Sequence, residues 1–221
     1  MILLRHAHSV ANEKGVLAGR APGISLSKKG HLQANELKLR LGNVKFKNIR
    51  VSPLERCLLT LGPWLDKQKL TDSDFVLDSG LTEVDYGDWT GKKLSSLALK
   101  KEWRVVQKTP SKMVFPQGES LSDVQKRARR SLMKAIKEGQ GGISLIVSHG
   151  DVIKSLIADC LELELDKFQK IVIDPASISV LDYSKNGFRL LHLNDSSTHF
   201  DFLSKKSRST KTLLGGGSGR T

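Results

Sequence analysis

Cysteine is nearly absent: Cys57 and Cys160 are the only two among 221 residues. Two thiols cannot supply a disulfide framework, so a hydrophobic core must hold the chain together, and a reducing, cytoplasmic setting is expected. Long apolar runs are missing too. The opening Met1-Ile2-Leu3-Leu4 is broken by Arg5, too early for a signal-peptide core, so secretion is disfavoured. No stretch approaches the roughly 20 apolar residues of a membrane span. Aromatic side chains make up only 5%, and no base-reading motif is legible, which argues against a nucleic-acid-binding module. The chain has no internal repeat.

What is present is an ordinary globular balance, 38% hydrophobic and 27% charged, with a mean hydropathy of -0.27. The length suits one core. Lys and Arg outnumber Asp and Glu 36 to 23, a net +13. From Ser204 onward there are five cations and no acid in a Ser-, Lys-, Thr- and Gly-rich stretch, so residues 1–203 keep +8. The chain therefore divides into a catalytic domain over 1–203 and a flexible basic tail over 204–221. The remaining field attracts anions without choosing among them.

One pattern occurs three times: an apolar run, a polar turn, then a helical stretch. Ile2 to Leu4 run into Arg5-His6-Ala7-His8-Ser9. Ile49 to Ser52 meet Pro53, placed for the first turn of a helix through Glu55, Arg56, Leu58 and Leu61. Ile143 to Val147 end at Ser148-His149-Gly150, and Asp151 to Leu161 reads as the next helix. Strands apolar on both faces and alternating with helices predict an α/β domain of three layers, with a mainly parallel sheet and helices on both faces. Further helices are expected over Lys28–Leu41 and Ser120–Lys137, the second stopped by Gly139. Ser177–Tyr183 and Phe188–Leu193 flank Lys185-Asn186-Gly187 and predict a C-terminal hairpin. Trp89, Cys57 and Cys160 read as core residues.

Ligands of open α/β sheets sit beyond the carboxyl ends of the strands. Here those ends present Arg5 and His6, Ser52 and Arg56, and His149. Guanidinium forks match phosphate oxygens, and helices starting after each turn add backbone N–H groups. A neutral imidazole beside them can accept a phosphoryl group on nitrogen. The leaving oxygen needs a proton, for which Glu83 is the best-placed carboxyl group, with Asp85 and Asp88 nearby.

Together, Arg5-His6-Ala7-His8-Ser9 with Asn12, Gly19-Arg20, Ser52-Pro53-Leu54-Glu55-Arg56, Glu83-Val84-Asp85-Tyr86-Gly87-Asp88-Trp89-Thr90-Gly91, Pro116-Gln117-Gly118-Glu119-Ser120 and Val147-Ser148-His149-Gly150 resemble the histidine phosphatase superfamily, which includes cofactor-dependent phosphoglycerate mutases. The motifs occur in the family's order from residue 2 to about 200. The resemblance implies that His6 is phosphorylated transiently, that Arg5, Arg56 and His149 hold the phosphoryl group, and that Glu83 is the proton donor. It implies substrate contacts from Ser9, Asn12, Gly19, Arg20 and Gly150, and chemistry without metal, nucleotide or other cofactor. The implied partner is a small phosphorylated metabolite or inorganic phosphate, with self-association left open.

Three departures carry expectations. Ala7 replaces the usual glycine, and its methyl group could crowd the backbone near the phosphate. Gln117 stands where proline or glycine is usual, with little consequence expected. Only 66 positions separate Glu83 from His149, shorter than in dedicated mutases, so the lid is reduced. A thin cover favours hydrolysis over mutase transfer. The Lys-rich segment from about Lys92 to Phe115, with Arg20, is expected to shape the cavity mouth and favour anionic substrates. A rival reading is a metallohydrolase using His6, His8 and His149, since His-x-His at a strand end can bind zinc.

Overall fold

The computed structural model describes residues 1–200. The expected basic tail lies outside them. In chain order the elements are β1 (Ile2–Arg5), α1 (Val10–Glu13), α2 (Lys28–Arg40), β2 (Asn48–Val51), α3 (Glu55–Gln68), β3 (Val76–Leu77), α4 (Leu94–Leu97), α5 (Trp103–Lys108), α6 (Leu121–Gly139), β4 (Ser144–Ser148), α7 (Gly150–Cys160), β5 (Ile178–Ser184) and β6 (Gly187–Asp195). They form one six-stranded sheet in the order β3-β2-β4-β1-β5-β6. The first four strands are parallel; β5 and β6 run antiparallel as the expected hairpin.

Both sheet faces are covered, which explains why the parallel strands read as unbroken apolar runs. Successive side chains point to opposite faces. Ile2, Leu4, Leu145, Val147 and Val51 pack with Leu37 of α2 and Leu61 and Trp64 of α3. Leu3 and Ile146 face the other way, onto Val124 and Leu132 of α6 and Ile153 and Ile157 of α7. Burying each such side chain contributes about 1.5–3 kcal/mol relative to exposure. A charge at Leu3 or Leu145, both fully buried, would therefore break a layer rather than loosen it.

Helix boundaries follow local chemistry. Ser27 and Ser120 cap α2 and α6, their hydroxyls accepting from the Gly30 and Asp123 amides. The stop after α6 differs from expectation. Gln140, not Gly139, takes the left-handed conformation (φ 45°). Gly139 is needed instead for close approach, because a Cβ there would lie 2.5 Å from the Ser144 hydroxyl oxygen. Pro53 also sits differently: Leu54 is the N-cap of α3, so the proline precedes the first turn. That helix continues through Pro63 to Gln68. Among the described residues no helix is long and apolar enough to cross a membrane.

The register sets up the site. Arg5 pairs with Ser148, and Val51 with Val147, so the carboxyl ends of β1, β4 and β2 finish level. The His6 amide donates to the Ser148 carbonyl (2.9 Å) and the Ser52 amide to the Val147 carbonyl (2.9 Å), extending the ladder by one residue into the site.

Candidate active site

A cavity of about 410 Å³ opens above these strand ends. Arg5, His6, Ser9, Asn12, Gly19, Arg56, Glu83 and Gly150 all line it, although they come from separate parts of the chain. His149 lies fully buried beneath, its ring centroid 5.2 Å from that of His6.

His6 is fixed through both backbone and ring. Its carbonyl accepts from the Ala176 amide (3.1 Å), and its Nδ1 lies 2.7 Å from the Ala7 carbonyl. A carbonyl can only accept, so Nδ1 carries the proton and Nε2 keeps its lone pair. Burial, then the charges of Arg56 and Arg5, hold the imidazole well below its ordinary pKa. The ring is neutral and nucleophilic at physiological pH. Ala7 does not crowd it: the methyl group is buried in the core with Ile2 and Leu4, and its amide donates to the Thr60 hydroxyl (2.8 Å).

The two expected guanidiniums are anchored at one edge and open at another. Arg56, only 2% exposed, donates to the Gly19 carbonyl (2.9 Å) and to His149 Nδ1 (3.2 Å). Arg5 donates to the Ile173 carbonyl (2.5 Å). Their Nε–H groups are buried without a protein acceptor. Leaving such donors unpaired costs about 1–3 kcal/mol each, a cost that an anion with several oxygens removes. Gly150 gives Arg5 its room, since a Cβ there would sit 3.2 Å from the guanidinium carbon.

Because arginine only donates, His149 Nδ1 must accept, and its Nε2–H points to the Ser52 hydroxyl at 2.7 Å. Burial, followed by Arg56, holds this imidazole well below its ordinary pKa as well. Ser9 and Asn12 form a reciprocal cap on α1: the Asn12 side-chain oxygen receives the Ser9 amide (3.0 Å) and hydroxyl (2.9 Å). That leaves the Asn12 NH2 as the donor end.

Glu83 closes the opposite side, one carboxylate oxygen accepting from the Val84 amide (2.9 Å) and the other 3.9 Å from His149 Nδ1. Burial, then the negative charge of Asp151, raises it to about 7. It can therefore hold a proton at neutral pH and lose it on demand. Arg20 does not line the cavity. It braces Glu83 from behind, donating to the Glu83 carbonyl (2.9 Å) and to Glu119 (2.7 Å). Arg127 grips the same carbonyl (3.1 Å) and the same Glu119 oxygen (2.7 Å).

The rest of the wall was not singled out from the sequence. Asp151 accepts from the Tyr86 hydroxyl (2.8 Å) and from Lys154 (3.1 Å), which also donates to Gln169 (2.7 Å). Burial pushes Asp151 upward, but Lys154 and the Tyr86 hydrogen bond outweigh it, so its pKa is lowered. Val16, Leu17, Ala18, Ile171, Val172 and Ile173 supply apolar surface. The segment 92–115 contributes only Leu94, so its lysines do not shape the mouth as expected. One signal was available: Asp151 and Lys154 are spaced i,i+3, which puts them on one face of the helix that begins at Gly150. Gln169 and residues 171–173 carry no such signal. His8 turns away, its Nδ1 2.8 Å from the Ser27 hydroxyl, and no cluster of three or more His, Cys, Asp or Glu able to hold a metal ion occurs among the described residues.

Residues 1–196 match the family described as "Histidine phosphatase superfamily (branch 1)". Phosphoserine phosphatase 1 of Hydrogenobacter thermophilus is 29% identical over 196 residues, covering 88% of this chain and 91% of that protein. The 2,3-bisphosphoglycerate-dependent phosphoglycerate mutase of Thermoplasma acidophilum is 29% identical over 187 residues, covering 82% and 86%. The crystal structure of a phosphoserine phosphatase variant from Entamoeba histolytica in complex with phosphoserine superimposes with a TM-score of 0.78 at 25% identity, covering 88% and 96%. The chain belongs to the histidine phosphatase superfamily, and its similarities are to enzymes that are phosphatases or phosphomutases.

Proposed function

We propose that this protein is a metal-independent phosphomonoester hydrolase that works through a phosphohistidine at His6. The observation that carries the reading is the pairing across one cavity of a neutral His6, its Nδ1–H tied to Ala7, with a Glu83 carboxyl group that titrates near 7. His6 Nε2 attacks phosphorus and the bond to the ester oxygen breaks, while Glu83 gives that oxygen its proton. Arg5 and Arg56 compensate the charge on the transferring phosphoryl oxygens, the main catalytic demand of this reaction. Glu83, now ionised, takes a proton from a water that attacks the phosphohistidine, so phosphate leaves and both groups return to their starting states.

Mutase transfer is the second reading, favoured by the relative from Thermoplasma acidophilum. Hydrolysis is preferred because the outer rim is open: Val172 is 60% exposed. Retaining a phosphorylated intermediate needs a closed site that excludes water. The two free buried thiols suit action in a reducing cytoplasm.

The test is rapid quenching with a 32P-labelled ester under alkaline conditions. An acid-labile label on His6, inorganic phosphate as the product and full activity after EDTA are expected. Brisk turnover with no label on His6 overturns the mechanism. Positional isomerisation in place of phosphate release replaces hydrolysis with the mutase reading.

A further inference from the structure

The wall of the cavity beyond the two guanidiniums has its own chemistry. Among the described residues, Lys154 is the one cation lining the cavity beyond Arg5 and Arg56. An ammonium has three donors. Here two are directed to Asp151 and Gln169, and the nitrogen lies 4.7 Å from the centre of the Phe168 ring. Its charge is matched by Asp151, which also receives the Tyr86 hydroxyl. Arg20, the other cation expected here, is drawn onto the Glu83 carbonyl and Glu119 outside the cavity. The lining also holds an aliphatic set, Val16, Leu17, Leu94, Ile171 and Val172.

We infer that the enzyme acts on single-phosphate monoesters of neutral, apolar alcohols and discriminates against esters whose alcohol carries a carboxylate or a second phosphate. The inference rests on the proposed hydrolase reading. A carboxylate on the alcohol would lose its water shell against aliphatic side chains, with Lys154, the remaining lining cation among the described residues, already paired to Asp151. A neutral alkyl chain meets surface of its own kind. The basic excess of the whole chain raises the local concentration of all phosphate esters but does not select among them at this end.

The experiment is a comparison of kcat/KM for n-butyl phosphate, 3-phosphoglycerate, 2,3-bisphosphoglycerate and O-phosphoserine, with p-nitrophenyl phosphate as the control for the reaction itself. Butyl phosphate is expected to lead each charged ester by at least about tenfold, the discrimination typical of an apolar subsite. Asp151→Asn should free the Lys154 ammonium and reduce the butyl phosphate to 3-phosphoglycerate ratio by about tenfold. Val172→Lys, which adds a cation at the rim without touching the phosphoryl cradle, should shift the ratio the same way. A higher kcat/KM for phosphoserine or 3-phosphoglycerate than for butyl phosphate, with p-nitrophenyl phosphate still cleaved through labelled His6, overturns the substrate assignment and leaves the reaction standing. Failure to hydrolyse any ester overturns the reaction, and this inference with it.

Discussion

At the phosphoryl end of the cavity the polar groups come from a strand terminus or the turn and helix that follow it: Arg5 and His6 after β1, Arg56 one turn past β2, His149 after β4. Elsewhere on the wall they come from the start of α7, Asp151 and Lys154, and from Gln169, beside aliphatic residues 171–173. The first end has two guanidiniums with buried, open Nε–H groups. The second has its ammonium neutralised by Asp151. One end thus has buried donors without a protein acceptor, and at the other the charges pair with each other. The shared phosphoryl chemistry and the choice of alcohol are therefore separable by mutation.

Breaking the phosphoryl end should have the largest effect. His6→Ala removes the proposed nucleophile and is expected to lower turnover by on the order of 10⁵-fold or more, with thermal unfolding little changed. Phosphate release and a melting curve measured together check this; full activity would end the nucleophile assignment. Arg56→Ala should follow at about 10²–10³ in kcat, the usual cost of removing one electrostatic stabiliser. An effect confined to KM would mean that Arg56 only binds substrate.

The line between the two ends runs through Glu83. Its proton is held up to about pH 7, so phosphoenzyme formation from an alkyl ester should fall above that pH. Breakdown needs the carboxylate and should fall below it. Glu83→Gln should remove both limbs in single-turnover assays and slow alkyl esters by about 10²–10⁴, while sparing aryl phosphates whose leaving groups need no proton. Equal slowing of both would assign the proton elsewhere. Asp151→Asn sharpens the comparison from the other side. The Asp151 charge helps raise Glu83, so its loss should move the phosphorylation limb to lower pH. A limb that stays in place would show the two carboxyl groups to be independent.

The smallest effect lies outside the cavity. Gln117 occupies the left-handed region (φ 56°), a conformation barred to proline and costly for glutamine, so the substitution at this position does matter locally. Gln117→Gly should stabilise the fold by up to about 1 kcal/mol, a rise in Tm of roughly 2–4 °C for a chain of this size. An unchanged Tm would mean that the gain is cancelled by the greater freedom of glycine in the unfolded chain.

The residues at strand ends were readable because an apolar run that stops at Arg-His or Ser-His has one common explanation in an α/β sheet: the strand has reached the ligand side. The three layers were readable because only a sheet covered on both faces tolerates strands such as Ile2–Leu4 and Leu145–Val147. What could not be read was direction. Ala7 follows His6 in sequence, yet its methyl group is turned into the core. Arg20 stands next to cavity-lining Gly19, yet its long side chain reaches the carbonyl of Glu83, 63 positions away. The Lys-rich stretch after Lys92 is near the mouth in sequence pattern but contributes only Leu94 to it.

Composition and local order by themselves determined the kinds of group this protein has to work with, because apolar periodicity and turn chemistry act over a few residues and leave a direct trace in the chain. Which cation stays open and which is neutralised was decided only in three dimensions. A charged side chain on a flexible stem settles against whatever acceptors packing brings within about 3 Å, and for Arg20 those acceptors, on Glu83 and Glu119, lie 63 and 99 positions away in the chain.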